Sequence, residues 1–311
     1  MSSIFSKIKQ LISLSRPEWC FLFGIVAIMF GLFYSFPVSS ILIGGLSVSL
    51  FTAGHFALNG YFDRYSDKLN PRSFSLRNPL SYSLQIEKKI IYFWILIIWL
   101  SVIPLNLIFI PNSFVFEKIL LALLAYLIAI FGSICYSVPP IRMKARPFLD
   151  LLITMLIIGI FVPFYISILG PETYIPTEKL ILAIGFGLLL ISGIHLPTIL
   201  IDLETDKQIG DITTAVYLGW KRTSILTSAI IILRVIGLTV INIILMSQGI
   251  LVVSVSPFIL GILEIIVSLQ LLIKQNREAA VQLLKTVIIT SSAGSIFFAY
   301  LYVPVLQTIN P

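Results

Sequence analysis

Charged side chains are scarce in this sequence of 311 residues: 11% of its positions are Asp, Glu, Lys or Arg, and only 14 are acidic. A soluble domain is about 25% charged, so this composition excludes an ordinary soluble protein. The hydrophobic content of 58% and the mean hydropathy of +1.03 point in the same direction. Together these values predict an integral membrane protein.

Cysteine and histidine are almost missing, with two residues of each. Cys20 and Cys135 lie in separate apolar segments and form no C-x-x-C pair. We therefore interpret both as small core residues and expect neither a disulfide nor a zinc site. His55 and His195 also stand apart from each other in the sequence.

Long apolar runs dominate what is present, and no run alternates in the manner of a transmembrane β-barrel. About 20 apolar residues cross a bilayer as a helix. We predict an all-α polytopic membrane protein, a single domain over 1–311, with nine transmembrane helices in one bundle. The predicted spans are 18–35, 39–58, 90–110, 118–136, 149–169, 180–200, 224–246, 250–272 and 286–306.

The net charge of +7 predicts topology rather than nucleic-acid binding. All Lys and Arg residues except Lys118, Lys179 and Arg234 precede the first predicted helix or follow an even-numbered one. Cytoplasmic loops of membrane proteins carry this excess of positive charge. The pattern predicts a multi-pass protein of the cell membrane, with its N-terminus in the cytoplasm and its C-terminus outside.

Two acidic motifs stand at the cytoplasmic ends of the second and sixth predicted helices. Asn59, Asp63 and Asp67 are spaced four residues apart, and Asp202 and Asp206 repeat the D-x-x-x-D spacing. On a helix this spacing puts the side chains on one face, one turn apart. Neighbouring carboxylates repel each other, whereas carboxylate and amide oxygens are the ligands that Mg²⁺ prefers, together with phosphate oxygens. The motifs therefore predict Mg²⁺ ions that hold a diphosphate.

Nearby cations fit the same hypothesis. Two Mg²⁺ ions balance the charge of four carboxylates, so basic side chains must balance the negative charge of the diphosphate. The cytoplasmic loops supply Arg64, Lys68, Arg72, Arg77, Arg142, Lys144, Arg146 and Lys207. Tyr136, the last residue of the fourth predicted span, is a further hydrogen-bond donor for phosphate oxygens.

The motifs, in this order, resemble the UbiA-type intramembrane prenyltransferases over the whole chain. That family has N-x-x-x-D-x-x-x-D after its second helix and D-x-x-x-D after its sixth. The stretch YSVPPIRMKARP, which begins at Tyr136, is similar to the family's Y-S-x-P-P-x-R-x-K segment. Ser15-Arg16-Pro17, Gly210 and Thr213 are also similar. The loop LNPRSFSLRNPLS, which contains Arg72 and Arg77, differs from the family's frequent N-x-P-x-R-P-I-x-S-G.

The resemblance implies the roles of the site residues. It implies that the four aspartates are catalytic and, with the amide of Asn59, coordinate Mg²⁺ and a prenyl diphosphate; the metal ligands are Asn59, Asp63, Asp67, Asp202 and Asp206. The residues expected to contact the diphosphate, from the resemblance and from their position in the basic loops, are Asn59, Arg72, Arg77, Tyr136, Arg142, Lys144 and Lys207.

The implied function is Mg²⁺-dependent transfer of a prenyl group from a prenyl diphosphate to a lipid-soluble acceptor, with release of diphosphate at the cytoplasmic face. The acceptor stays open between a quinone precursor, an ether-lipid precursor and another isoprenoid-pathway molecule. A terpene cyclase or carotenoid elongase of the same fold is an alternative. A cation or metabolite transporter is another, although transporter sites usually lie near the membrane midplane. The expected partners are the donor, the hydrophobic acceptor and the bilayer, with no nucleic acid and no obligatory protein partner.

Two further charges lie inside predicted helices. Arg234 is about ten residues into the seventh helix, and Glu264 is about eight residues from the cytoplasmic end of the eighth. These helices run antiparallel, so the two charges lie at similar depth. Because each charge alone is costly in lipid, we predict that they form an ion pair.

Overall fold

The computed structural model describes residues 2–34, 36–69, 86–109, 115–170, 177–247, 256–291 and 293. Within these ranges the regular elements are all helices, which confirms the predicted all-α class. They are α1 Ser2–Leu14, α2 Pro17–Phe33, α3 Val38–Asp63, α4 Ser66–Leu69, α5 Lys88–Phe109, α6 Val115–Ser137, α7 Leu149–Thr154, α8 Phe161–Leu169, α9 Thr177–Ile209, α10 Thr214–Ser247, α11 Ser256–Lys274 and α12 over 277–291. A π-helical turn, Met155–Ile160, joins α7 to α8 without a break.

Six helices in the described ranges are long and apolar enough to cross a membrane: α3, α5, α6, the continuous α7–α8, α9 and α10. A seventh candidate is the pair α1–α2, which is bent by 46°. These helices fall on the first seven predicted spans. The last two predicted spans, 250–272 and 286–306, lie partly outside the described residues, so the count of nine stays a prediction.

The helices are grouped into two compact units. The first unit contains α1, α2 up to Gly31, α3 to α6, and α8 from Tyr165 onward. The second contains the segment Lys144–Phe164 and the helices α9 to α12. Cys20 and Cys135, both in the first unit, are buried free thiols.

In the first unit, α3 is the helix on which α1, α5 and α6 pack. Gly54 lies against the indole of Trp99, where a Cβ atom would overlap the ring. Small residues of this kind allow membrane helices to approach closely. Trp99 donates its indole N–H to the Phe51 carbonyl at 3.1 Å, and Tyr126 donates its hydroxyl to the Trp99 carbonyl at 3.0 Å. These contacts hold α3, α5 and α6 together and so position the end of α3.

In the second unit, α9 packs against α10 and against the π-helical turn. Gly187 on α9 faces Gly159 on that turn, and a Cβ atom on either residue would press on the other's backbone. The helix α10 is kinked at Gly219, whose φ of 74° and ψ of 172° are not helical. Glycine adopts a positive φ without steric cost, so the kink falls on the residue that tolerates it.

The predicted ion pair is confirmed in the second unit. Arg234 donates to Glu264 at 2.8 Å, and the side chains of both residues are 2% exposed. Arg234 also donates to the hydroxyl of Ser291 at 2.8 Å, and the hydroxyl of Thr290 donates to Glu264. The pair therefore connects α10, α11 and α12, and two hydroxyl groups from α12 add hydrogen bonds to it.

Removing one member of this pair should destabilise the protein more than removing both. We expect Arg234→Met or Glu264→Met alone to lower the free energy of unfolding by about 3–5 kcal/mol, because each leaves a buried charge without its counterion. The double variant should lose less than either single variant, since apolar side chains of similar volume replace the whole pair. Thermal unfolding of the four purified proteins in one detergent gives this comparison. Equal and additive losses from the two single variants would contradict it.

Candidate active site

The first acidic motif lies where α3 ends. Asp63 is the last residue of α3 and is buried, whereas Asn59, one turn earlier, is half-buried. Asp67 follows on the short helix α4. The four-residue spacing would place the three side chains on one face of a continuous helix, but Arg64 and Tyr65 interrupt the helix between Asp63 and Asp67.

The interruption has a local cause in the side chains around it. The hydroxyl of Ser66 donates to the Asp63 carbonyl at 3.0 Å, which satisfies one of the carbonyls that α3 leaves open at its end. The guanidinium of Arg64 donates to the Tyr61 carbonyl at 2.6 Å and lies 4.5 Å from the ring centroids of both Tyr61 and Tyr65. Arg64 thus stacks between two aromatic rings at the point where the chain leaves α3.

Arginine side chains lie beside both carboxylates of the first motif. Arg142 Nη2 is 3.7 Å from Asp63 Oδ1. Arg16 Nη2 is 3.2 Å from Asp67 Oδ2, and the two side chains are 11% and 23% exposed. Low exposure limits screening by water, so these contacts are stronger than those of an exposed pair.

Arg16 was not among the predicted site residues. It lies at the junction of α1 and α2, 51 positions before Asp67 in the chain. The sequence signal that was available is its place in Ser15-Arg16-Pro17, directly before the first apolar run. Nothing in that local pattern says which acid the arginine meets.

The end of α6 completes the surroundings of the first motif. The hydroxyl of Ser137 donates to Asn59 Oδ1 at 3.3 Å. The ring of Tyr136, which is half-buried, lies 5.4 Å from the ring of His55, one turn before Asn59 on α3. The predicted contact residue Tyr136 is therefore next to the metal-ligand candidates of this motif, and His55 is packed among aromatic rings.

The second acidic motif lies near the end of α9, which continues past the predicted span 180–200 to Ile209. Asp202 and Asp206 are half-buried and one turn apart, and Lys207 is exposed. The hydroxyl of Thr213 donates to Asp206 Oδ2 at 3.3 Å. The helix ends at Ile209, and Gly210 follows with a φ of 82°, the left-handed conformation that commonly ends a helix.

The basic segment of the second unit meets the turn that follows this motif. Lys144 lies on the short 3₁₀ turn Met143–Ala145, and Arg146 follows it. The backbone N–H of Ile212 donates to the Ala145 carbonyl at 3.3 Å. Lys144 and Arg146 therefore flank a residue that is hydrogen-bonded to the turn between α9 and α10.

Each unit thus brings together one part of the predicted site. The first unit assembles Asn59, Asp63, Asp67, Tyr136 and Arg142, and the second places Asp202, Asp206 and Lys207 at one helix end with Lys144 on a neighbouring segment. The predicted contacts Arg72 and Arg77 lie outside the described residues. Among the residues that are described, no three His, Cys, Asp or Glu side chains converge on one point. An ion at either motif would complete its coordination with amide, water or phosphate oxygens.

Several solved structures share this fold. A UbiA homologue from Archaeoglobus fulgidus bound to GPP and Mg²⁺ is 20% identical, with a TM-score of 0.65 over 94% of this chain and 99% of its own. A digeranylgeranylglyceryl phosphate synthase is 20% identical, with a TM-score of 0.63 over 96% of this chain and 99% of its own. A UbiA homologue from Aeropyrum pernix K1 is 17% identical, with a TM-score of 0.63 over 90% and 98% of the two chains.

Sequence comparison assigns the family directly. Among curated proteins none matches the chain. The model of the UbiA prenyltransferase family matches residues 19–301, which include both acidic motifs and nearly all of the described helices. The resemblance seen in the motifs is thereby confirmed, and the chain belongs to the UbiA prenyltransferase family.

Proposed function

We propose that this protein transfers a prenyl group from a prenyl diphosphate to a lipid-soluble acceptor and that it requires Mg²⁺. The observation that carries the proposal is the pair of D-x-x-x-D motifs at helix ends, with Arg142 and Arg16 beside the carboxylates of the first. Membership of the UbiA prenyltransferase family supports the reaction class. Similar structures from Archaeoglobus fulgidus contain GPP or DMAPP together with Mg²⁺, which supports the donor class and the metal.

The donor atoms of the two motifs fit Mg²⁺. The first motif offers one amide and two carboxylates, and the second offers two carboxylates, all of them hard oxygen ligands. Neither motif contains enough protein ligands to fill an octahedral shell, and Mg²⁺ commonly shares such a shell with water and substrate phosphates. When bound, the ions stabilise the negative charge that builds on the departing diphosphate.

The residues of this chain then hold the diphosphate and the metals. We propose that Asn59, Asp63, Asp67, Asp202 and Asp206 are the metal ligands. The basic and hydroxyl side chains that we propose as diphosphate contacts are Arg72, Arg77, Tyr136, Arg142, Lys144 and Lys207. Arg142 is supported best, because it already lies 3.7 Å from Asp63 and its guanidinium has the fork geometry that matches phosphate oxygens.

The proposed arrangement in the membrane follows from the distribution of charge. We propose a single membrane domain over 1–311 with nine transmembrane helices, the N-terminus in the cytoplasm and the C-terminus outside. Both acidic motifs then open to the cytoplasmic face of the cell membrane. The excess of Lys and Arg in the loops of that face supports the orientation. It also supplies the positive charge that attracts a diphosphate.

The acceptor is proposed only as a class, a hydrophobic molecule that reaches the site from the bilayer. Quinone precursors, ether-lipid precursors and other acceptors of isoprenoid pathways remain candidates. One similar structure is that of a digeranylgeranylglyceryl phosphate synthase, so a glycerol-phosphate ether lipid is the first acceptor to test. No protein partner is required by the proposal.

The test is diphosphate release by the purified protein in detergent, with geranylgeranyl diphosphate as donor. We expect release that requires Mg²⁺, stops in EDTA, returns when Mg²⁺ is restored, and rises with one acceptor of a panel. Release without any acceptor would instead indicate a cyclase of the same fold. Absence of release with every donor tested would contradict the transferase and favour transport.

Replacing a metal-ligand candidate should remove activity without unfolding the protein. We expect Asp63→Asn and Asp202→Asn each to lower the rate of diphosphate release by at least about 100-fold, because each removes a charge that holds the metal while keeping the side-chain volume. Glu178→Gln is the matched control, since Glu178 is exposed in the first turn of α9, at the end opposite to Asp202. Wild-type rates in either aspartate variant would exclude that residue from the site.

Neutralising Arg142 should weaken binding of the donor. We expect Arg142→Gln to raise the KM for the prenyl diphosphate roughly 10- to 100-fold, the loss that corresponds to one hydrogen bond to a charged group. Lys221→Gln is the control, because Lys221 is an exposed cation on α10 that is not among the proposed contacts. Steady-state kinetics at saturating Mg²⁺ measure both variants, and equal KM values for the two would argue against a contact through Arg142.

A further inference from the structure

Asp150 is a buried carboxylate that the proposed reaction does not use. It is the second residue of α7 and is 0% exposed. It also lies outside both acidic motifs. A carboxylate without access to water is costly unless donors surround it, so the partners of Asp150 carry information about its role.

Thr214, the first residue of α10, supplies most of these donors. Its backbone N–H donates to Asp150 Oδ2 at 2.8 Å, and its hydroxyl donates to Asp150 Oδ1. The backbone N–H of Leu151 donates to Oδ1 at 2.8 Å. The Thr214 hydroxyl oxygen in turn accepts the backbone N–H of Phe148 at 2.7 Å. One carboxylate and one threonine thus join the beginnings of α7 and α10.

The residue next to Thr214 contacts the second acidic motif. Thr213 donates its hydroxyl to Asp206 Oδ2 at 3.3 Å and accepts the backbone N–H of Val216 at 3.4 Å, which caps α10. One residue earlier, Ile212 donates its backbone N–H to the Ala145 carbonyl, between Lys144 and Arg146. Ile212, Thr213 and Thr214 therefore contact, in that order, the basic segment, a metal-ligand candidate and Asp150.

The turn that contains these residues is short. Only residues 210–213 separate α9 from α10, and both Thr213 and Thr214 are buried. Thr213 and Thr214 are adjacent in the chain and both are buried, so a group that anchors Thr214 also limits where the hydroxyl of Thr213 can lie. Hydrogen bonds to a metal-ligating carboxylate orient it and raise the affinity for the metal.

We propose that Asp150 is a positioning residue for the second metal motif. It acts through Thr214 and Thr213 on the orientation of Asp206, and through the same turn on the basic segment 144–146. This inference rests on the proposed function, because it assigns to Asp206 the role of a metal ligand. The alternative is that Asp150 only joins α7 to α10 and affects stability alone.

Three variants and two serine controls separate these roles. Asp150→Asn keeps the volume but turns an amide N–H₂ toward a donor of Thr214. Thr214→Val removes the hydroxyl that donates to Asp150, and Thr213→Val removes the hydroxyl that donates to Asp206. Thr214→Ser and Thr213→Ser keep the hydroxyl groups and serve as the matched controls.

The measurement that separates these roles is how the rate of diphosphate release depends on the Mg²⁺ concentration. We expect all three variants to raise the Mg²⁺ concentration that gives half-maximal diphosphate release roughly 10-fold, the effect expected for groups that orient a metal ligand. The two serine variants should retain the wild-type concentration. At saturating Mg²⁺ the kcat of each variant should recover more fully than at low Mg²⁺. Thr213→Val should show the shift with a smaller loss of Tm than Asp150→Asn, because it removes the cap of α10 but leaves the bonds of Asp150 intact.

A second measurement does not depend on turnover: the rise in Tm when Mg²⁺ and inorganic diphosphate are added. Ligands that bind only the folded state raise Tm according to their affinity, so the variants should need more Mg²⁺ for the same rise. Asp150→Asn protein with a lower Tm but wild-type Mg²⁺ dependence in both assays would overturn the inference and leave a structural role. If wild type releases no diphosphate, the proposed reaction is wrong, and the Tm measurement alone decides the positioning. Absence of any Mg²⁺ effect on the Tm of wild type would contradict the inference.

Discussion

Negative charge must be compensated wherever this apolar chain buries it, and the arrangement of its polar groups depends on that constraint. The described residues meet it in different ways. Asp63 and Asp67 lie beside arginines, Glu264 has an arginine and a threonine, and Asp150 is surrounded by neutral donors. Each solution joins segments that are distant in the sequence. The contacts that compensate the charge of the buried acids therefore also hold helices in place.

The compensation differs between the site and the rest of the protein. Arg234 and Glu264 are almost fully buried in α10 and α11, so their charges are fixed to each other. Arg16, Asp67 and Arg142 keep between 11% and 25% of their side chains exposed, which leaves them accessible to an ion or a phosphate. Partial exposure is what a site needs if its acids are to exchange arginine partners for metal ions. A fully buried pair is suited to stabilising helix packing instead.

The helix ends decide what the acids can reach. On α9 the helix continues past Asp206, whereas α3 stops at Asp63 and the chain resumes on α4 before Asp67. In the turn after α9, the Thr213 hydroxyl donates a hydrogen bond to Asp206, and the Ile212 backbone N–H donates one to the basic segment. A hydrogen bond from such a turn restricts the orientation of the carboxylate that accepts it. We therefore include the residues that anchor the turns in the proposed site, together with the acids.

The sequence predicts the helical class, six or seven of the spans, the family, the acidic motifs and the Arg234–Glu264 pair. These features follow from apolar run length, four-residue spacing and the cost of charge in lipid, which are local or one-dimensional properties. Helix packing was needed to show that Arg16 contacts Asp67, that α3 ends at Asp63, and that Asp150 accepts hydrogen bonds from Thr214. These partners are 51 and 64 positions apart. The pairing of these few polar groups depends on how the helices pack and where they end. The periodicity of the sequence predicts neither.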